Sequence, residues 1–179
     1  MTGFDVATWT ALGTWVLVIG TLIMMYWQTR WQLRLNSANA LLVLRERYDT
    51  PAMRRARGKF AQHLLSPGGD PPLLDVPRFF ELIGSLTHQR ALEERMVWSA
   101  FGGYVTAYYH RMVKPIDYIG TWRKEWQDPL IFREFEWLHS RVERIDRQKL
   151  GARYVATMDN SEEAVRILQA EVRHQEPVV

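Results

Sequence analysis

The longest pattern along the chain is an unbroken one. From Val6 to Thr29, 24 consecutive residues carry no charge, with Asp5 before them and Arg30 after. Leu12 and the stretch from Val16 to Met25 make the centre apolar, interrupted only by Gly20 and Thr21. As a helix the run would span about 36 Å, enough to cross a hydrocarbon core of ~30 Å. Trp9 lies near one end, and Tyr26, Trp27 and Trp31 lie near the other, the placement of membrane-interface aromatics. A buried core helix rarely runs so far without a charge. A cleaved signal peptide needs a positive leading flank, and here that flank offers only Asp5 and the α-amino group. The Ala38-Asn39-Ala40 site falls after Arg30 and Arg34, too far from the run. The pattern predicts an uncleaved transmembrane anchor over residues 1–29.

Beyond the run the apolar positions recur at helical spacing. Trp31, Leu35, Ala38 and Leu42 continue toward Tyr48, and neither Gly nor Pro interrupts residues 21–50, so a juxtamembrane helix over 30–49 extends the anchor as one rod. Thr50-Pro51 pairs a hydroxyl cap with a proline at the first helical position. Met53, Ala56, Phe60 and Leu64 then form the apolar face of a helix that stops at Ser66-Pro67-Gly68-Gly69-Asp70-Pro71-Pro72. Asp75 and Pro77 restart a helix with Phe79, Ile83 and Leu86 on one face. The stretch Met96–Tyr109 has no charge and is apolar on all sides, yet is too short to span a bilayer, so it predicts the central buried helix of a bundle. Gly102 and Gly103 would let a neighbouring helix approach it. Lys114-Pro115 ends it, and a short helix with Ile119, Trp122 and Trp126 follows.

Asp128-Pro129 reads as a second capped start. Ile131, Phe135, Leu138, Val142 and Ile145 follow at spacings 4, 3, 4 and 3, a stripe that packs within the bundle. Residues 149–160 are irregular, with Tyr154-Val155 extended, and Asn160-Ser161-Glu162-Glu163 opens an amphipathic helix with Val165, Leu168 and Val172. The fold class is all-α: one N-terminal transmembrane helix continuing into a cytoplasmic helical bundle of about five to six helices over 50–148, then an irregular loop and C-terminal helix over 149–179. Trp98, Phe101, Tyr104, Tyr108, Phe135 and Leu138 are the expected core.

Charge orients the anchor. Residues 30–59 hold eight basic residues against two acidic, a net of +6, whereas residues 60–179 are slightly acidic and the whole chain carries +3. Positive-inside placement puts the C-terminal domain in the cytoplasm, the N-terminus outside, and the protein in the inner membrane as a single-pass species. With 47% hydrophobic and 24% charged residues the chain is not a disordered one. The absence of cysteine removes disulfides, thiolate metal sites and a cysteine nucleophile.

Arg54, Arg55, Arg57 and Lys59 are the densest charge cluster. They are candidate contacts for anionic lipid headgroups, or alternatively a topology signal. Nucleic acid is a poorer partner, since residues 60–179 are net acidic and no recognition motif occurs. Glu136-x-x-His139 and Glu171-x-x-His174 have the spacing of carboxylate-bridged metal bundles, but the second pair reads as a solvated helix end and His139 sits one step off the stripe. His63, His88 and His110 read as surface or edge residues. No phosphate loop, dinucleotide fingerprint or nucleophile elbow is present, so neither a catalytic residue, a metal ligand nor a cofactor is assigned.

The order of apolar and aromatic motifs carries one further reading. The anchor is followed by Pro51-Ala52-Met53-Arg54-Arg55-Ala56-Arg57, then Phe79-Phe80-Glu81-Leu82-Ile83-Gly84, then Phe101-Gly102-Gly103-Tyr104-Val105, then Phe132-Arg133-Glu134-Phe135-Glu136-Trp137-Leu138. This order resembles the bacterial domain-of-unknown-function family numbered 4760, over roughly residues 8–145. The resemblance implies a small membrane-anchored helical protein and carries over no catalytic residue. Two functions fit the residues. One is a non-enzymatic interaction module whose bundle, with aromatic surface at Trp122, Trp126 and Trp137, binds a protein partner or its own copy. The other is a membrane-anchored effector or signalling component that oligomerises through its anchor, where Ala7-x-x-x-Ala11 and Thr10-x-x-x-Thr14 are small-residue spacings. A di-metal carboxylate bundle is a minor third.

Overall fold

One helix, α1 (Val6–Tyr48), carries the chain from the uncharged run into the bundle without a break. The computed structural model describes residues 6–67, 74–113, 117–151 and 161–174, with side chains in α1 described from Thr14 onward. Trp9 and the Tyr154-Val155 segment lie outside the described side chains. Among the described residues the chain is all-α, with α2 (Pro51–Leu65), α3 (Asp75–His88), α4 (Glu94–Val113), α5 (Tyr118–Glu125), α6 (Arg133–Leu150) and α7 (Ser161–Arg173) following α1. Among them no helix is long and apolar enough to cross a membrane, so the expected transmembrane span is not shown.

α4 is the hub, and it touches every other described helix. Val97, Phe101, Val105, Tyr108 and Met112 are fully buried, as expected for an apolar helix with no polar side. α6 and α7 pack on it but not on each other. At Gly102 an added Cβ would meet Val142 at 3.6 Å, and at Gly103 it would meet Ile167 at 3.7 Å, so both neighbours come up to van der Waals contact. Phe135 and Leu138 are buried as expected, while Trp98 and Tyr104 are half-buried.

α1 joins the bundle only by its last three turns. Ser37, Leu44 and Tyr48 are buried, with Ala40 and Leu41 partly so. It runs in the same direction as α4. The Ser37 Oγ accepts the Glu93 N–H at 2.8 Å, the Arg45 guanidinium donates to the Ala100 carbonyl at 3.3 Å, and the Tyr48 ring meets Phe101 and Tyr104. α2 then follows α4 onward, with Arg57 beside Tyr108 and His63 beside Tyr118. Thr50 caps α2 as predicted, its side chain accepting the Met53 N–H at 3.3 Å.

The expected helix start at Asp128-Pro129 is corrected. Asp128 Oδ1 accepts the Leu130 N–H at 2.8 Å in a local turn, and α6 begins only after Phe132, which sits in the left-handed region at φ 57°. Burial of the Phe132 ring against Trp122, centroids 5.5 Å apart, holds it there. α6 is capped from elsewhere: the Glu81 carboxylate of α3 accepts the Glu134 N–H at 3.2 Å and the Phe135 N–H at 2.6 Å. α3 comes this close because residue 84 is glycine; a Cβ there would lie 2.2 Å from the Glu134 carbonyl oxygen. α7 belongs to the same core, with Leu168 fully buried between α2 and α4.

Candidate functional site

Two features stand apart from ordinary core packing: a buried charged centre where α1, α2, α4 and α7 meet, and an exposed length of α1. The charged centre forms around Arg57. Met53, Arg57, Phe60 and Leu64 fall on one face of α2, so the guanidinium is carried inward with the apolar side chains. Its Nε lies 3.1 Å from Glu171 Oε2 of α7, and both side chains are 6% exposed. The contact is ionic rather than a directed hydrogen bond, since the Nε–H finds no acceptor in line. The guanidinium also covers the Tyr48 ring at 3.7 Å. Burial raises the carboxyl pKa of Glu171, opposed by Arg57 beside it. Burial likewise raises the phenols of Tyr48 and Tyr108, so both stay neutral hydroxyls.

This overturns one sequence expectation outright. Arg57 is not available to lipid headgroups. Arg54, Arg55 and Lys59 are exposed on α2, but α2 starts beyond the far end of α1. From Arg30 to Tyr48 the unbroken helix measures about 27 Å. Glu171, read as part of a solvated helix end, is instead buried.

The second Glu-x-x-His pair is therefore split, with Glu171 inside and His174 exposed. The first is split as well. Glu136 is exposed and bound to Arg123 at 2.9 Å and to the Tyr109 hydroxyl at 3.4 Å, whereas His139 is buried. The His139 ring stacks on Tyr109 with centroids 4.1 Å apart, and the His110 ring stands across it at 5.1 Å. Its Nε2 has no hydrogen-bond partner. Burial, with His110 adding to it, lowers its pKa to about 4. Because α6 and α7 sit on different sides of α4, the two pairs are not brought together. Among the described residues no three His, Asp or Glu side chains are grouped to hold a metal.

The other histidines have ordinary partners. His88 pairs with Glu134 at 2.7 Å and stacks on Trp137, and His63 shares a 2.6 Å hydrogen bond with the Tyr118 hydroxyl. Of the three tryptophans expected at the surface, Trp122 is buried, Trp137 is half-buried under His88, and Trp126 is exposed. An open cleft of about 350 Å³ lies between the ends of α2 and α7, lined by Gln62, Leu65, Ser66, Gln169, Val172 and Arg173. It holds no pair of groups suited to acid–base or nucleophilic work.

α1 is the other feature. Every described residue from Thr14 to Gln32 is exposed, including Leu17, Met24 and Trp27 at 72% and Trp31 at 65%. Tyr26 and Trp27 are on this stretch, and Arg30 lies over the Tyr26 ring at 5.3 Å.

The family model for a domain of unknown function, DUF4760, matches residues 6–142. The chain belongs to the DUF4760 family. No curated protein and no solved structure matches it. The matched DUF4760 region runs from the first residue of α1 to Val142, the α6 residue that faces Gly102. It includes the Glu81–Phe135 cap and the Gly84 approach, so Phe79-Phe80-Glu81-Leu82-Ile83-Gly84 and Phe132-Arg133-Glu134-Phe135 are the two sides of the α3–α6 contact. α7 lies outside the DUF4760 match, so Arg57 is inside the family domain and its counter-ion Glu171 is not.

Proposed function

We propose that this DUF4760 protein is a single-pass, membrane-anchored interaction module without enzymatic activity, its N-terminus outside and its bundle in the cytoplasm. The single observation carrying this is the stretch of α1 from Thr14 to Gln32, which is helical and exposed at every described residue. Twelve described residues, Thr14 to Met25, are uncharged and exposed, and the uncharged sequence begins eight residues earlier at Val6. Hydrocarbon is the environment in which such a surface costs nothing. The aromatic cluster Tyr26, Trp27 and Trp31 and the first basic residues Arg30 and Arg34 follow in the order of an interface on the cytoplasmic side. The lipid bilayer is thus the first partner, and anionic lipid is at most a secondary one through Arg54, Arg55 and Lys59.

The non-enzymatic reading is supported by the polar groups: Arg57 pairs with Glu171, Trp98 with Asp146, and the cleft between α2 and α7 lacks reactive partners. Alkaline carbonate should leave the protein in the membrane pellet, and a reporter fused after Val179 should behave as cytoplasmic. Extraction by carbonate would remove the anchor from this reading, and a periplasmic reporter would reverse its orientation.

A further inference from the structure

α1 carries two apolar stripes past Arg30, and the bundle covers only one. Ser37, Leu41, Leu44 and Tyr48, at spacings 4, 3 and 4, face the bundle. Trp31, Leu35, Ala38 and Leu42 repeat the same spacing about 120° around the helix. Of these Trp31 is 65%, Leu35 50% and Leu42 67% exposed. The repeat also runs backward through Leu17, Thr21, Met24 and Gln28, all exposed. It is a 3.5-residue period sustained over eight positions, the seam of a left-handed coiled coil rather than the wider face of a bundle helix.

We propose that this stripe is the seam of a parallel homodimer, formed by α1 of one copy against α1 of a second. Lipid cannot cover the outer half, because Leu42 lies about 18 Å of helix beyond Arg30. A second copy suits the seam in several ways. Anchored in one bilayer, two copies present identical stripes at the same height and in the same direction. In that register Arg34 flanks the seam opposite Asn39 of the other helix, so like charges do not meet. Gln28 occupies a seam position, where a polar pair fixes register. Area decides the extent of the seam. A stable specific interface buries about 1,200–2,000 Å² in total, and three half-exposed side chains a copy fall short of that. Leu17 and Met24 are needed as well, and this inner half of the seam rests on the anchor reading above.

The chain has no cysteine, so single cysteines report pairing directly. Full-length protein carrying Leu35→Cys, Leu42→Cys, Asn36→Cys or Val43→Cys would be purified, reconstituted into phosphatidylcholine vesicles and oxidised mildly. Asn36 and Val43 are exposed but off the seam. Disulfide-linked dimer is expected at positions 35 and 42 with a yield several times that at 36 and 43. Equal yields at all four, or no dimer at 35 and 42, would overturn the proposal; the second outcome is also what a different partner protein on the stripe would give. As a check independent of cysteine, Leu35→Glu with Leu42→Glu should abolish chemical cross-linking of the dimer and leave the melting temperature of the bundle unchanged. Carbonate treatment of the same vesicles scores the anchor separately: protein that is extracted yet cross-links at 35 and 42 keeps the seam and loses the anchor, while embedded protein without cross-links does the reverse.

Discussion

The Glu81 carboxylate stands 2.6 Å from the Phe135 backbone nitrogen, so the start of α6 is set by a side chain of α3. The same carboxylate takes the Glu134 N–H, and the Glu81 side chain is half-buried. Glu81→Ala leaves both donors without their acceptor. It should cost about 1–2 kcal/mol, the usual value of a helix cap, and lower the melting temperature by several degrees. Glu81→Gln keeps an acceptor oxygen and should lose less. Thermal melts of the two variants side by side check this.

Glycines on the same fold should respond with opposite signs to the same change. A methyl at Gly84 meets the Glu134 carbonyl oxygen at 2.2 Å, backbone that cannot step aside. Gly84→Ala should therefore destabilise by about 3 kcal/mol, at the upper end for overpacking. Gly103→Ala adds a methyl on an exposed helix position with its nearest neighbour at 3.7 Å and should stabilise by about 0.5–1 kcal/mol. Urea unfolding midpoints of the two variants measure both effects.

Breaking the Arg57–Glu171 pair on one side should be far worse than replacing both partners. Arg57→Met strands a carboxylate that is 6% exposed, with an expected loss of about 3–5 kcal/mol. Adding Glu171→Leu removes the stranded charge and should recover most of it. Hydrogen exchange locates the effect: amides of α7 should lose protection in the single variant and regain it in the double.

His139 makes stability depend on pH with a predictable sign. Its pKa falls from 6.5 in the unfolded chain to about 4 in the fold, so the unfolded chain binds the proton first. Stability from this group is present above pH 6.5 and is lost as pH falls toward 4, by about 3 kcal/mol in all. Glu81, Asp146 and Glu171, whose pKa values burial raises, act with the opposite sign in the acid range. His139→Phe keeps the stack on Tyr109 and removes the proton site, so its stability should change less between pH 7 and pH 4.5 than that of the parent. Identical pH profiles would show that the buried imidazole is protonated without cost.

Helix faces were legible wherever the 3.6-residue period was the only signal, as in α4 and in Phe135 and Leu138 of α6. The Thr50-Pro51 start was legible because donor and acceptor are three residues apart. Asp128-Pro129 misled because an aspartate before a proline satisfies a tight turn as readily as a helix, and what chose between them was Trp122 drawing in Phe132. The caps from Ser37 and Glu81 join residues more than fifty positions apart and leave no local pattern. Arg57 did leave one: Met53, Arg57, Phe60 and Leu64 keep an unbroken 4, 3, 4 spacing, which outranks the polarity of one member. Its buried partner Glu171 also lies three residues from Leu168, on the inward face of α7.

Because α1 is one uninterrupted helix from the uncharged run to Tyr48, its two ends share a phase as well as a length. One residue inserted between Trp31 and Ser37 would advance the bundle by about 1.5 Å and turn it by about 100° relative to the apolar segment. Seven inserted residues would nearly restore the angle while adding about 10 Å of height. The stalk therefore transmits rotation like a drive shaft, and the sequence between Arg30 and Ser37 fixes the azimuth at which every surface of the bundle is presented.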